Sequence, residues 1–145
     1  MDIKTLTELL NISGVEVTEI IKEEAGKLYL RVEASENKTA ICSHCEEAHE
    51  RVHSTAEVIV EDLRASGKRV FLVLKKRKLR CPKDGQIHVE KIDWIMERFT
   101  KRFAEDISRL TAITTNQEAG WYLGLNDEKV YRIDKKTLEA EAKKN

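Results

Sequence analysis

Three cysteines constrain what this 145-residue chain can fold into. Cys42 and Cys45 form a C-x2-C knuckle. Cys81, thirty-six residues after Cys45, opens a second one, Cys81-Pro82-Lys83-Asp84-Gly85, with Asp84 at the position where a fourth cysteine is due. Two knuckles so spaced read as a zinc ribbon, in which neighbouring hairpins clamp one tetrahedral ion. Three thiols cannot all pair as disulfides, and two sit at metal-ligand spacing, so a reducing, cytoplasmic setting is expected.

The fourth ligand is open. Carboxylate oxygen is an acceptable though harder donor, so Asp84 is one candidate; His88, seven residues past Cys81, is the alternative. His44, inside the first knuckle, is expected to point outward, and His49 and His53 lie just beyond it. A metal-free fold, with the thiols acting as small buried apolar groups, is the competing reading. A structural role for zinc is expected, because no acid or base is placed to use an open metal position.

Formal net charge is zero, but the charges are segregated. Between Leu63 and Lys83 lie nine basic residues (Arg64, Lys68, Arg69, Lys75, Lys76, Arg77, Lys78, Arg80, Lys83) and no acidic one. A cationic stripe of this kind suits a phosphate backbone. The bland alternative is a charged edge that discourages aggregation. Cations on both faces of Lys75-Lys76-Arg77-Lys78 are expected to keep that half of the strand at an edge or facing solvent. No stretch reads as a signal peptide or reaches membrane-spanning length.

The periodicities place an α+β fold. A helical stripe spans 3–12, stopped by Ser13-Gly14. Strands are expected at 15–20 and 27–35, paired as a hairpin, then at 49–61, 69–80 and 86–92. From about Met96 the pattern turns helical. Phe99, Phe103, Ile107 and Leu110 share one face, a second helix spans about 115–123 and breaks at Gly124, and Asn126 caps a third running to about Lys143. The expected organisation is a zinc-ribbon-like antiparallel β unit at 1–93, with a short leading helix, and a trihelical helix-turn-helix unit at 96–145. In the latter, Ala119 is small where helices cross and Leu123, Leu125, Val130 and Ile133 close a core. The third helix would offer Lys129, Tyr131, Arg132, Lys135 and Lys136 to DNA, alongside Asp127 and Glu128.

The order of these parts resembles the N-terminal region of bacterial insertion-sequence transposases of the ISL-three family. The resemblance rests on the Gly14-Val15-Glu16-Val17 strand, the C-x2-C knuckle, the basic strand ending Leu79-Arg80-Cys81-Pro82, and Gly85. It continues through Val89-Glu90, Ile92, Trp94, Arg98-Phe99-Thr100, Leu123-Gly124-Leu125 and Val130-Tyr131-Arg132-Ile133, covering nearly the whole chain. It implies a zinc ribbon and a helix-turn-helix that bind transposon ends, with a catalytic nuclease domain to follow. Two departures stand out: Asp84 replaces a residue that is usually Cys, and the chain stops where the nuclease domain would begin. The expectation is a non-enzymatic binder of double-stranded DNA with terminal inverted repeats, holding phosphates with Lys75, Lys76, Arg77 and Lys78. The competing expectation is a protein-interaction module that pairs with a second copy or with a full-length transposase and inhibits it.

Overall fold

The computed structural model describes residues 2–36 and 38–143. Met1, Lys144 and Asn145, at the outer ends of the two expected units, lie outside them. Helix α1 (Ile3–Leu10) is capped by Asp2, which accepts from the Thr5 N–H at 2.7 Å. It stops at Asn11, in the left-handed conformation, two residues before the expected Ser13 break. Strands β1 (Val15–Glu24) and β2 (Lys27–Ala34) form the expected hairpin. The two-residue strands β3 (Ala40–Ile41) and β4 (Ala48–His49) pair across the first knuckle. The long strands β5 (Val52–Ala65) and β6 (Lys68–Arg80) follow, joined by Ser66-Gly67, both at positive φ as a tight hairpin requires. Then come β7 (Ile87–Val89), β8 (Ile95–Met96) and β9 (Phe99–Thr100).

The main sheet runs β1-β2-β6-β5-β9-β8, with β7 also on β6. It is mixed, not antiparallel as expected: β2 runs parallel to β6 and β5 parallel to β9. The chain between β2 and β6 passes through the first knuckle and the whole of β5, so β6 arrives beside β2 in the same direction. Side-chain alternation encodes the faces of a strand but not the direction of its partner.

Of the two placements expected for the cationic half of β6, at an edge or facing solvent, the second describes Lys75, which is exposed. This strand is central. Strand β5 flanks it from Val52 to Ala65, while β2 and β7 share its other side, up to Val73 and from Lys78 onward. The cations are tolerated there because burial lapses. Val70, Leu72 and Leu74 are buried, whereas Lys75 is exposed and Lys76, Arg77 and Lys78 are half-buried.

Two apolar clusters divide the structure. One joins Leu10 of α1 to Val15, Val17, Leu30, Val32, Val60, Val70, Leu72 and Leu74. The other is helical and contains Phe103, Ala104, Ile107, Ala119, Leu123, Val130 and Ile133, with Phe99. It is built by α2 (Lys101–Thr111), α3 (Asn116–Leu123) and α4 (Asp127–Lys143). Phe99 belongs to β9 and not to the helix face on which its spacing placed it. Thr100 intervenes as the N-cap of α2, its hydroxyl accepting from the Phe103 N–H at 3.3 Å. Thr115 caps α3, Gly124 ends it at φ 73°, and Asn126 accepts from the Lys129 N–H at 2.7 Å to start α4. A Cβ on Gly120 would lie 2.5 Å from the Leu125 carbonyl oxygen, so the turn between α3 and α4 closes only over glycine. Among the described residues no helix is long and apolar enough to cross a membrane.

One polar network joins the helices to the sheet. Asp62 of β5 is buried and accepts from the Thr100 hydroxyl at 2.7 Å and from the Arg102 Nε at 2.9 Å, while a second Arg102 nitrogen reaches its other oxygen. The remaining arm of Arg102 donates to the Leu10 carbonyl at 2.6 Å, so one guanidinium ties α2, β5 and α1. Asp62→Ala strands that guanidinium. The cost of breaking a buried pair applies, reduced because the Arg102 side chain is 33% exposed. A loss of about 2–4 kcal/mol in urea unfolding is expected; a loss within experimental scatter would show that the apolar cluster alone seats the helices.

Candidate metal centre and nucleic-acid interface

The two knuckles have the same backbone. The Cys42 N–H donates to the Glu47 carbonyl at 2.9 Å, and the Glu46 N–H returns to the Cys42 carbonyl at 2.9 Å. In the second, the Cys81 N–H donates to Gln86 and the Gly85 N–H to Cys81, both at 2.8 Å. The residue four after each leading cysteine is left-handed: Glu46 at φ 61° and Gly85 at φ 72°. Glycine supplies that conformation at no steric cost, while Glu46 is strained by it.

This geometry brings the three thiols together. The sulfurs of Cys42, Cys45 and Cys81 lie within 4.8 Å of one another, Cys42 and Cys81 buried and Cys45 half-buried. Ala40 and Leu79 pack beside them. The backbone N–H groups of Cys45 and His44 point at the Cys42 sulfur and hold its thiol below the ordinary value, which favours the thiolate. Burial pushes the Cys45 thiol up.

Asp84 reproduces part of the missing cysteine. Its Oδ1 accepts from the Gln86 N–H at 2.8 Å, the bond that the Cys45 sulfur takes from Glu47 in the first knuckle. Its Oδ2 meets His88 Nε2 at 2.6 Å and His44 Nε2 at 3.4 Å, and the two imidazoles stack with centroids 4.7 Å apart. The Gln86 N–H first, and His88 next, hold the Asp84 carboxyl below the usual carboxylate range, so it is an anion at neutral pH. Asp84 groups with Cys81 and His44, at the flank of the three thiols. His88, the alternative ligand, is engaged with Asp84. His49, just beyond the first knuckle in sequence, has its Nε2 3.1 Å from the Cys45 sulfur; the antiparallel β3–β4 pairing brings it there. His53 contacts Ser54 instead, at 3.2 Å.

Four of the nine cations in the run are answered by acids from other segments. Arg69 forms two 2.8 Å bonds with Glu61, Arg77 is held by Glu90 at 2.9 and 3.1 Å, Lys83 meets Glu47 at 3.3 Å, and Lys68 pairs with Glu23. Arg64 is spent on the Leu123 carbonyl at the C-terminal end of α3. Among the described residues, Lys75, Lys76 and Lys78 take part in no ion pair, so these three of the four expected phosphate contacts remain available. On α4, Tyr131, Arg132, Lys135 and Lys136 are exposed and Lys129 is half-buried. Arg132 and Lys136 both lean on Glu97, Arg132 at 3.4 Å, and Lys136 first and Arg132 next depress the Glu97 carboxyl.

With this geometry in view, residues 38–84 match the family described as the zinc-finger of transposase IS204/IS1001/IS1096/IS1165. The chain resembles these transposases. It is 30% identical over 115 residues, 78% of its length, to the transposase for insertion sequence element IS1001 of Bordetella parapertussis. It spans 28% of that protein's length. No solved structure matches the chain. The resemblance read from the order of segments is borne out, and three converging sulfurs flanked by a carboxylate make a donor set that fits zinc.

Purified protein is expected to hold one zinc per chain, and the Cys42→Ser variant to lose it, by elemental analysis. Asp84→Cys, which supplies a fourth thiolate on an unchanged backbone, should tighten zinc by about tenfold or more in chelator competition. Equal affinity in the two proteins would place the fourth corner elsewhere, with His49 the next residue to replace.

Proposed function

We propose that this chain is a DNA-binding, transposase-like region in which a zinc ribbon (1–93) and a helix-turn-helix (96–145) grip double-stranded DNA, including terminal inverted repeats, without cutting it, in the reducing cytoplasm. The observation that carries this reading is the set Lys75, Lys76 and Lys78. These cations sit on a rigid central strand that ends at the metal knuckle, and no ion pair among the described residues consumes them. Lys75 and Arg77 share one face of β6, and Lys76 and Lys78 the other, so a duplex would meet a ridge more than a flat patch. In α4 the buried side is Val130, Ile133 and Thr137, and the side turned away carries Tyr131, Arg132, Lys135 and Lys136. The tight turn over Gly120 and Gly124 fixes α3 against α4 as a reading helix requires.

Zinc in this reading holds the ribbon's shape and takes no part in bond breaking. The ridge supplies affinity and α4 supplies groove contacts. Arg77 contributes by aligning the strand against Glu90.

A second reading, an interaction module that assembles with a full-length transposase, draws support from α4 itself. Asp127 and Glu128 line a hollow with Asn116, Tyr131 and Arg132 at its N-terminal end. Acids there complement the helix dipole but repel phosphates.

Electrophoretic-shift titrations at several salt concentrations separate the two. Replacing Lys75, Lys76 and Lys78 together with Glu should weaken binding to every duplex tested and flatten the log–log salt dependence by about three units, close to one per lost phosphate contact. Unchanged retention would remove the strand from the interface. Glu97→Gln should do the reverse, releasing Arg132 and Lys136, with DNA bound tighter and a steeper salt dependence by about one unit. If Glu97→Gln leaves both untouched, that face of α4 does not meet DNA.

A further inference from the structure

The two outer edges of the sheet are built differently. The free edge of β1 is guarded: it carries Glu16, Glu19, Lys22, Glu23 and Glu24, and its register breaks twice, between Val17 and Glu19 and between Ile20 and Lys22. Charges and bulges are the usual protection against edge pairing. The edge of β5 is guarded less, its register shifts lying outside its middle stretch. From Ser54 to Val60 its register with β6 is unbroken, and Glu57 is its one charged side chain. Beyond β6, its pairing among the described residues is with β9 at Glu61 alone. Ile59 is 48% exposed there.

The direction of the free backbone groups is fixed by that contact. The Glu61 N–H donates outward to the Arg98 carbonyl at 2.8 Å. Backbone direction alternates along a strand, so the N–H and C=O groups of Ile59, Glu57 and Thr55 also point outward.

We infer that this edge pairs with the same edge of a second copy of the chain, antiparallel, about a twofold axis at Ala56. An isologous pairing must match outward-facing residues with outward-facing ones, so the axis falls on a residue; axes from Val58 onward would use Glu61, already paired with β9, which leaves Thr55, Ala56 or Glu57 near the middle of the free stretch. An axis at Glu57 opposes two like charges, and one at Thr55 draws the pairing into the irregular stretch between Val52 and Ser54. The axis at Ala56 stays within the unbroken register. It puts Thr55 opposite Glu57 of the other copy twice, beside the carboxylate that Arg31 holds at 3.3 Å, with Ser54 opposite Val58. The smallest side chain of the segment falls at the axis, where the opposed residues form a non-hydrogen-bonded pair and side chains approach most closely. The two sheets then become one continuous sheet through β5, and Ile59 gains cover at each end of the pairing.

Sedimentation equilibrium on the full chain tests this by sign. The wild type is expected to be a reversible dimer. Thr55→Glu sets carboxylate against Glu57 at two symmetry-related places and should weaken the dimer about tenfold or more, whereas Thr55→Lys should hold or tighten it. Both are edge-strand surface changes, and circular dichroism confirms their folding. Hydrogen exchange should show the Thr55 and Glu57 amides protected in wild type as concentration rises. A monomeric wild type, a dimer that responds alike to Glu and Lys at position 55, or protection that rises with concentration elsewhere but not at these amides overturns the proposal.

Discussion

The pairing of β5 with β6 sets the position of everything else. Its register runs unbroken from Ser54 opposite Lys78 to Asp62 opposite Val70. At one end the strand delivers Leu79 and Cys81 to the thiol cluster; at the other it delivers Asp62 to Thr100 and Arg102. A slip of one residue would turn every side chain of β5 to the opposite face, removing Val60 from the core and Asp62 from its guanidinium together. The metal centre and the helical unit are therefore mechanically linked, although they share no apolar cluster.

Charge is organised across strands more than along them. The segment 63–83 is purely cationic in sequence, yet Glu23, Glu47, Glu61 and Glu90 reach it from β1, the first knuckle, β5 and the stretch beyond β7. Glu61 and Glu90 are buried, and each is met by an arginine fork with two matched bonds, the geometry that best offsets desolvation. The arginines of the run thus serve the fold. The lysines at 75, 76 and 78 enter no ion pair among the described residues.

What sequence revealed divides along the same line. Knuckles, caps and hairpin turns are local. The C-x2-C spacing, Asn126 before α4 and Gly124 after α3 could be read because each acts within a few residues of itself. The direction of β2 against β6, the acids opposite the cationic run and the approach of His49 to Cys45 depend on which distant segments meet, and alternation carries no record of that. Phe99 shows the intermediate case. Its spacing from Phe103 and Ile107 identified a member of the right cluster, but the Thr100 cap signal placed it outside the helix. Gly120 carries no local signal, because a glycine inside a helix announces nothing without its neighbour, the Leu125 carbonyl.

Asp84 separates two things that a cysteine does at once in a knuckle: it ligates, and it accepts a backbone hydrogen bond that closes the turn. The carboxylate keeps the second role through Gln86, and Gly85 keeps the left-handed step, so the knuckle retains its shape with one thiol fewer. Its other oxygen contacts His88 and His44, and the carboxylate stays grouped with Cys81 at the flank of the thiols. Hydrogen bonds and the packing of Leu79 and Ala40 beside the cysteines thus support the loop together with any bound ion. The surface that β6 presents is braced in addition by its ladder with β5, which runs from the knuckle end of the strand to the helical end.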